Sequence, residues 1–299
     1  MLSTILYDGL LPHKAPLFSL PQLTPSTRAL VVGMGGGCDV FAAAAVAHMW
    51  KADHPDSTVL FANCVGLRPF PSDHELLAPN LYRVPKEPVP LVAGNEGYGT
   101  TLLEQSVAPR GDEGSPFMLV VPRDGKSGLT LEQVTAENVA AVSGAIDCLK
   151  IDIVLAVDLG GDSLTGGADY EGGSPEFGRD RQVLRALAAT GRPVVQLIFG
   201  PGCDGESELP AMREAVKEAA ESGNLLGVLP LADTLVPVMA RMAEGLRQSR
   251  TPNILARAAA HVAGRRQEDD GELCVIERHG RRAEVPWSWL TVGLAIRCR

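Results

Sequence analysis

The six cysteines of this 299-residue chain, at positions 38, 64, 148, 203, 274 and 298, include no CxxC pair and no compact framework. That spacing excludes a disulfide scaffold and a zinc-type Cys/His set, and it suits a reducing compartment. The thiols read as small buried hydrophobes. There is also no basic stripe. The formal net charge is -9, and the one local run, Arg265-Arg266, is followed by Glu268, Asp269 and Asp270, which reads as a solvated turn. A nucleic-acid backbone is therefore not the expected partner, because phosphate chains are held by clustered Lys and Arg.

Long apolar runs are missing as well. The longest, Val40 to Ala47, is far short of a bilayer span, so no membrane partner is expected. The amino-terminal stretch has no basic n-region and carries Asp8 inside its apolar part, unlike a signal peptide. A cytoplasmic protein is the simplest expectation. No linker rich in Pro, Gly or Ser divides the chain, and no internal repeat is found, so residues 1–299 read as a single α/β domain. HExxH and the GxSxG elbow are absent; Gly125-Lys126-Ser127 resembles the tail of a phosphate loop, but Val120 stands where its first glycine should be.

What is present is an alternation of short apolar runs with longer helical patterns. The runs are Ala29 to Val32, Thr58 to Cys64, Phe117 to Val121, Ile151 to Val157, Pro193 to Ile198 and Leu225 to Leu229. Near-continuous apolar character marks strands covered on both faces. The alternation predicts a three-layer, mostly parallel open sheet of Rossmann-like type over residues 27–264. Thr130 and Gln133 form a capping box ahead of an apolar helical stripe, and Ser174-Pro175 opens another helix. Helices are also expected at about Leu209 to Glu221 and over Asp233 to Ala263, the latter broken near Thr251-Pro252. The long, proline-rich residues 65–116 read as an irregular excursion or lid outside the main sheet. Residues 271–299 read as a small antiparallel C-terminal addition to a sheet edge.

Two loops carry the chemistry. The first strand runs into Gly33-Met34-Gly35-Gly36-Gly37-Cys38-Asp39 and then directly into a helix. Glycines there let backbone amides approach an anion, which the helix dipole favours; alternatively they serve a tight turn, and Asp39 caps the helix. The dinucleotide fingerprint is incomplete. Cys38 occupies the third glycine position, and the next strand ends on Asn63 rather than on an acid. The second loop, Asp158-Leu159-Gly160-Gly161-Asp162, sets two carboxylates on a glycine-rich turn at a strand's carboxyl end. They can converge on one cation or on sugar hydroxyls, or Asp158 can accept amides of its own turn. Asp180 and Arg181 fall near the start of the following helix, either along the crevice or as ordinary helix-start residues. With strand order 3-2-1-4-5-6, both loops meet at the topological switch point, where open α/β sheets bind ligands. Of the histidines, His48 reads as a core residue in an apolar helix. His74 reads as part of a solvated loop or as a lid residue entering the site.

At Gly33 to Asp39, Asp158 to Asp162 and Ser174-Pro175 the sequence resembles the uncharacterised family catalogued as domain of unknown function 1152. The resemblance implies the architecture and the position of the site, and it supplies no reaction. The residues themselves point to an enzyme, a hydrolase or group transferase acting on an anionic phosphate- or ribose-containing metabolite. Gly33, Gly35, Gly36, Gly37, Asp39, Gly160, Gly161, Asp180 and Arg181 would bind the ligand. Asp158 and Asp162 would act as catalytic groups or as ligands of Mg²⁺ or Ca²⁺. A non-catalytic nucleotide- or metabolite-binding protein and an atypical NAD(P) oxidoreductase remain open, as does a homo-oligomer.

Overall fold

The structure, a computed structural model, describes residues 9–11, 15–35, 37–70, 72–85, 116–123, 125–166, 174–242, 251–265, 270–278 and 281–298. Gly36, the amino-terminal residues 1–8 and most of the predicted excursion, 86–115, lie outside the described residues. In chain order the elements are β1 (Arg28–Gly33), α1 (Asp39–Asp53), β2 (Thr58–Gly66), β3 (Glu75–Ala78), β4 (Leu81–Arg83), β5 (Phe117–Val121), α2 (Leu131–Leu149), β6 (Ile153–Leu159), α3 (Asp162–Thr165), α4 (Arg179–Ala188) and β7 (Val194–Phe199). There follow α5 (Leu209–Glu221), β8 (Leu225–Pro230), α6 (Leu235–Met242), α7 (Thr251–Val262), β9 (Leu273–Arg278), β10 (Arg281–Pro286) and β11 (Val292–Arg297).

Five parallel strands, ordered β5-β2-β1-β6-β7, form the centre of a nine-stranded sheet. Side chains alternate across it. Ala29 and Val31 of β1 enter the core under α1, α5, α6 and α7, while Leu30 and Val32 enter the opposite core under α2 and α4. Burial on both faces is what the unbroken apolar runs encode. The predicted order holds through these five strands and places β1 beside β6, with Gly33 level with Val157.

Both sheet margins differ from expectation. Residues 65–116 are not wholly outside the sheet, because β3 and β4 continue it antiparallel beyond β5. The C-terminal segment does not simply add to an edge. Its first two strands, β9 and β10, pair as a separate antiparallel hairpin. β11 instead inserts antiparallel between β7 and β8, an interior position suited to its run of apolar residues. Inserted there, β11 keeps β7 from being an edge and joins β8 to the sheet as its last strand.

The local helix signals fare well. Thr130 and Gln133 exchange the two bonds of a capping box, 3.3 and 2.9 Å. Ser174 caps a single 3-10 turn, Pro175–Phe177, and α4 proper starts only after Gly178. Three smaller readings are corrected. His48 is exposed, because it falls on the outward face of α1 between buried Ala47 and Trp50. His74 is buried and bonds Asp73 at 2.9 Å rather than being solvated. Asp270, read as part of a solvated turn, points inward to Arg257 and His261, 2.7 and 3.2 Å away. Burial raises the Cys274 and Cys298 thiols to about 11 and about 12, in keeping with unreactive hydrophobes.

If β11 holds the far half of the sheet together, Leu294→Ala, fully buried in the native chain, removes about 2–5 kcal/mol. A urea midpoint unchanged from the parent would show that this strand is peripheral to stability.

Candidate functional site

Four chain segments converge where β1 and β6 end. Beyond β1 the glycine loop turns back. Its Asp39, the first residue of α1, does not cap that helix; its carboxylate accepts the amides of Gly35 at 2.7 Å and of Leu159 at 3.1 Å. Asp39 thereby ties the glycine loop to the end of β6. One amide expected to face an anion, that of Gly35, is thus committed to a carboxylate.

Asp158 is the penultimate residue of β6 and is buried. Its Oδ1 accepts the Gly161 amide and its Oδ2 the Ser163 amide, each at 3.1 Å. The Ser163 hydroxyl also donates to Oδ2, and the Gln196 side chain of β7 donates to that hydroxyl at 2.7 Å. The turn-internal reading of Asp158 is therefore correct. It does not exhaust the residue, because the same carboxylate faces two others.

Asp39, Asp158 and Asp180 each place one oxygen within 4.8 Å of the other two, and all three are buried. Asp180 arrives from the first turn of α4 and lies against Gly35, where an added Cβ would sit 2.5 Å from its Oδ2 and 2.8 Å from Asp39 Oδ2. Only a residue without a side chain lets backbone and two carboxylates meet this closely.

Gly160 and Gly161, with φ of +122° and +105°, take the chain through a conformation that disfavours side chains and start α3. Asp162 then lands half-buried near Asp158, whose charge acts on it. At Gly160 an added Cβ would strike Asp204 at 2.0 Å, so the loop after β7 also reaches the site.

The electrostatics follow from this crowding. Burial first, then the charges of Asp180 and Asp158, push Asp39 well above 3.8. Burial, then Asp180, Asp158, Asp204 and Glu206, do the same to Asp162. Asp158 is also raised by burial, and bonds from the Ser163 side chain and from the Gly161 and Ser163 amides pull it back.

The remaining predicted residues divide. Gly33 packs against Asn63 within β2, and Gly37 takes a left-handed turn at φ +67°. Arg181 reaches the Leu164 carbonyl at 2.9 Å and Glu176 at 3.3 Å, so it braces α3. Asp204, Glu206, Ser163, Gln196 and Arg179 were not predicted. The Gly200-Pro201-Gly202-Cys203-Asp204-Gly205-Glu206 loop repeats the glycine-plus-acid signature of Asp158 to Asp162 after the next strand, which was a readable signal.

The family described as Protein of unknown function (DUF1152) matches residues 105–275, more than half of the chain. That span holds Asp158, Asp162, Asp180, Asp204 and Glu206; the Gly33 to Asp39 loop precedes it. No curated protein matches the chain. Among the described residues no helix is long and apolar enough to cross a membrane.

A carboxyl whose folded value is raised favours folding below its unfolded value of 3.8 and loses that contribution as pH rises through the folded value. Asp162→Asn, neutral at every pH, is thus expected to gain thermal stability relative to the parent between about pH 5 and pH 8 in metal-free buffer. A difference between the two melting curves that stays constant with pH would contradict the crowding described above.

Proposed function

We propose that this chain, which belongs to the DUF1152 family, is a metal-assisted hydrolase or group transferase acting on an anionic phosphate- or ribose-containing metabolite. The observation that carries the reading is the meeting of three buried carboxylates from β6, α4 and the start of α1 within 4.8 Å. Like charges so placed, out of water, repel one another strongly unless protons or a cation stand between them.

The donor set suits a hard dication. Three oxygens sharing one ion stand about 1.4–1.7 metal–oxygen distances apart, roughly 3–3.6 Å around Mg²⁺ and roughly 3.3–4.5 Å around Ca²⁺. Oxygens of Asp39, Asp158 and Asp180 within 4.8 Å of one another reach such spacings with a small closure. A dication held there supplies charge neutralisation for a phosphate or ribose oxygen.

The protein's own groups have separable parts. Asp39 holds the glycine loop against β6, and the Ser163–Gln196 pair fixes the rotation of Asp158. Asp162, at the half-buried rim and raised by burial and its acidic neighbours, is the group to exchange a proton with a reacting substrate. An anion has no direct place beside Gly35, whose amide and Cα are occupied by carboxylates. This weakens the dinucleotide reading, which needs that backbone for a pyrophosphate. A cytoplasmic setting fits cysteines that are free and mostly buried.

Calorimetric titration of the metal-free protein with Mg²⁺ and Ca²⁺ tests the reading. At least one ion is expected to bind, and Asp158→Asn to weaken it by more than about 100-fold, beyond the loss typical of an outer-shell change. No heat from either ion, or an unaltered affinity in the variant, would overturn it. Turnover of phosphate esters by the ion-loaded protein separates an enzyme from a binding protein built on the same residues.

A further inference from the structure

The carboxylate cluster is a poor receptor for an anion by itself, and a second feature of the same crevice answers that difficulty. α4 begins with two residues of opposite charge, Arg179 and Asp180. Asp180 lies over the β1 side, against Gly35, two residues beyond the strand's end. The Arg179 guanidinium lies over the β2 side, where a Cβ added to Gly66 would sit 3.5 Å from its Nη2 and 3.9 Å from its Cζ. β1 and β2 are parallel neighbours with Gly33 level with Asn63, so these two side chains straddle adjacent strand ends at one mouth.

Gly66 does not adopt a left-handed conformation. A Cβ there would meet the half-buried guanidinium only in ordinary van der Waals contact, which locates Arg179 beside the end of β2. The field of Arg179 reaches the interior beside it. The Cys64 thiol, pushed up by burial and by Asp180, is drawn back by Arg179.

We infer that Arg179 is the specificity-determining residue for the substrate's anionic group, and that this group is a phosphate gripped between the guanidinium over β2 and the cation site over β1 and β6. The inference rests on the cation reading of Asp39, Asp158 and Asp180. A guanidinium presents paired N–H donors whose spacing matches two phosphate oxygens, an arrangement a carboxylate-rich wall cannot provide. With positive charge on two sides, a phosphate enters a site whose protein groups alone would repel it.

Inorganic phosphate titrated calorimetrically into the full-length, Mg²⁺-loaded protein, with Mg²⁺ titrated separately, tests this. Arg179→Gln is expected to weaken phosphate by about 10–100-fold, the worth of a charge-assisted contact. Mg²⁺ affinity should not fall, and Arg179→Lys should recover part of the loss. Retained Mg²⁺ affinity together with the partial recovery in Arg179→Lys guards against a folding artefact. Parental phosphate binding in Arg179→Gln would overturn the inference, as would a matching loss of Mg²⁺, or an Mg²⁺-loaded parent that takes up no phosphate. Phosphate binding that needs Arg179 but no Mg²⁺ would keep the arginine's role and sink the cation reading instead.

Discussion

Negative charge concentrated inside a folded chain is the constraint from which the arrangement of this protein follows. Asp39, Asp158 and Asp180 are buried with oxygens within 4.8 Å, and the charges of Asp180, Asp158, Asp204 and Glu206 bear on the neighbouring Asp162. Withdrawing one carboxylate from water already costs several kcal/mol, and each further neighbour adds repulsion. The fold offsets part of this with backbone amides: Gly35 and Leu159 on Asp39, Gly161 and Ser163 on Asp158. Burial and like charge still hold the Asp162 and Asp39 carboxyls above their usual range. A cation in the cluster, as proposed above, would offset the remaining repulsion.

The topology makes that concentration achievable. Five parallel strands end at the same side of the sheet, and the chain leaves β1 and β6 toward opposite faces, opening a gap between them. Glycines fill the gap because side chains would not fit: Gly35 against two carboxylates, Gly160 against Asp204. Their part is to let charged groups approach the backbone. It is a different use of glycine from the cradling of a phosphate by free amides.

The central sheet was legible because burial on both faces leaves unbroken apolar runs, and the strand order followed from chain alternation. The insertion of β11 was not, since an antiparallel strand inside the sheet has the same apolar run as one at its edge. At the site, Asp39, Asp158, Asp162 and Asp180 could be named because charged residues beside strand ends or helix starts stand out. Their hydrogen bonds could not, because whether the Gly35 amide faces a ligand or Asp39 depends on a turn conformation that composition does not encode. Asp204 and Glu206 carried the same glycine-and-acid pattern one strand later. Arg179 had no local signature at all; only the parallel register of β1 and β2 brings it over Gly66.

Diffraction from crystals soaked in Mn²⁺, which accepts the oxygen ligands of Mg²⁺, examines the cluster most directly. The account requires an anomalous peak within about 2.0–2.6 Å of an oxygen from each of Asp39, Asp158 and Asp180. A map without that peak, in which the three carboxyls close on one another through shared protons, would contradict it.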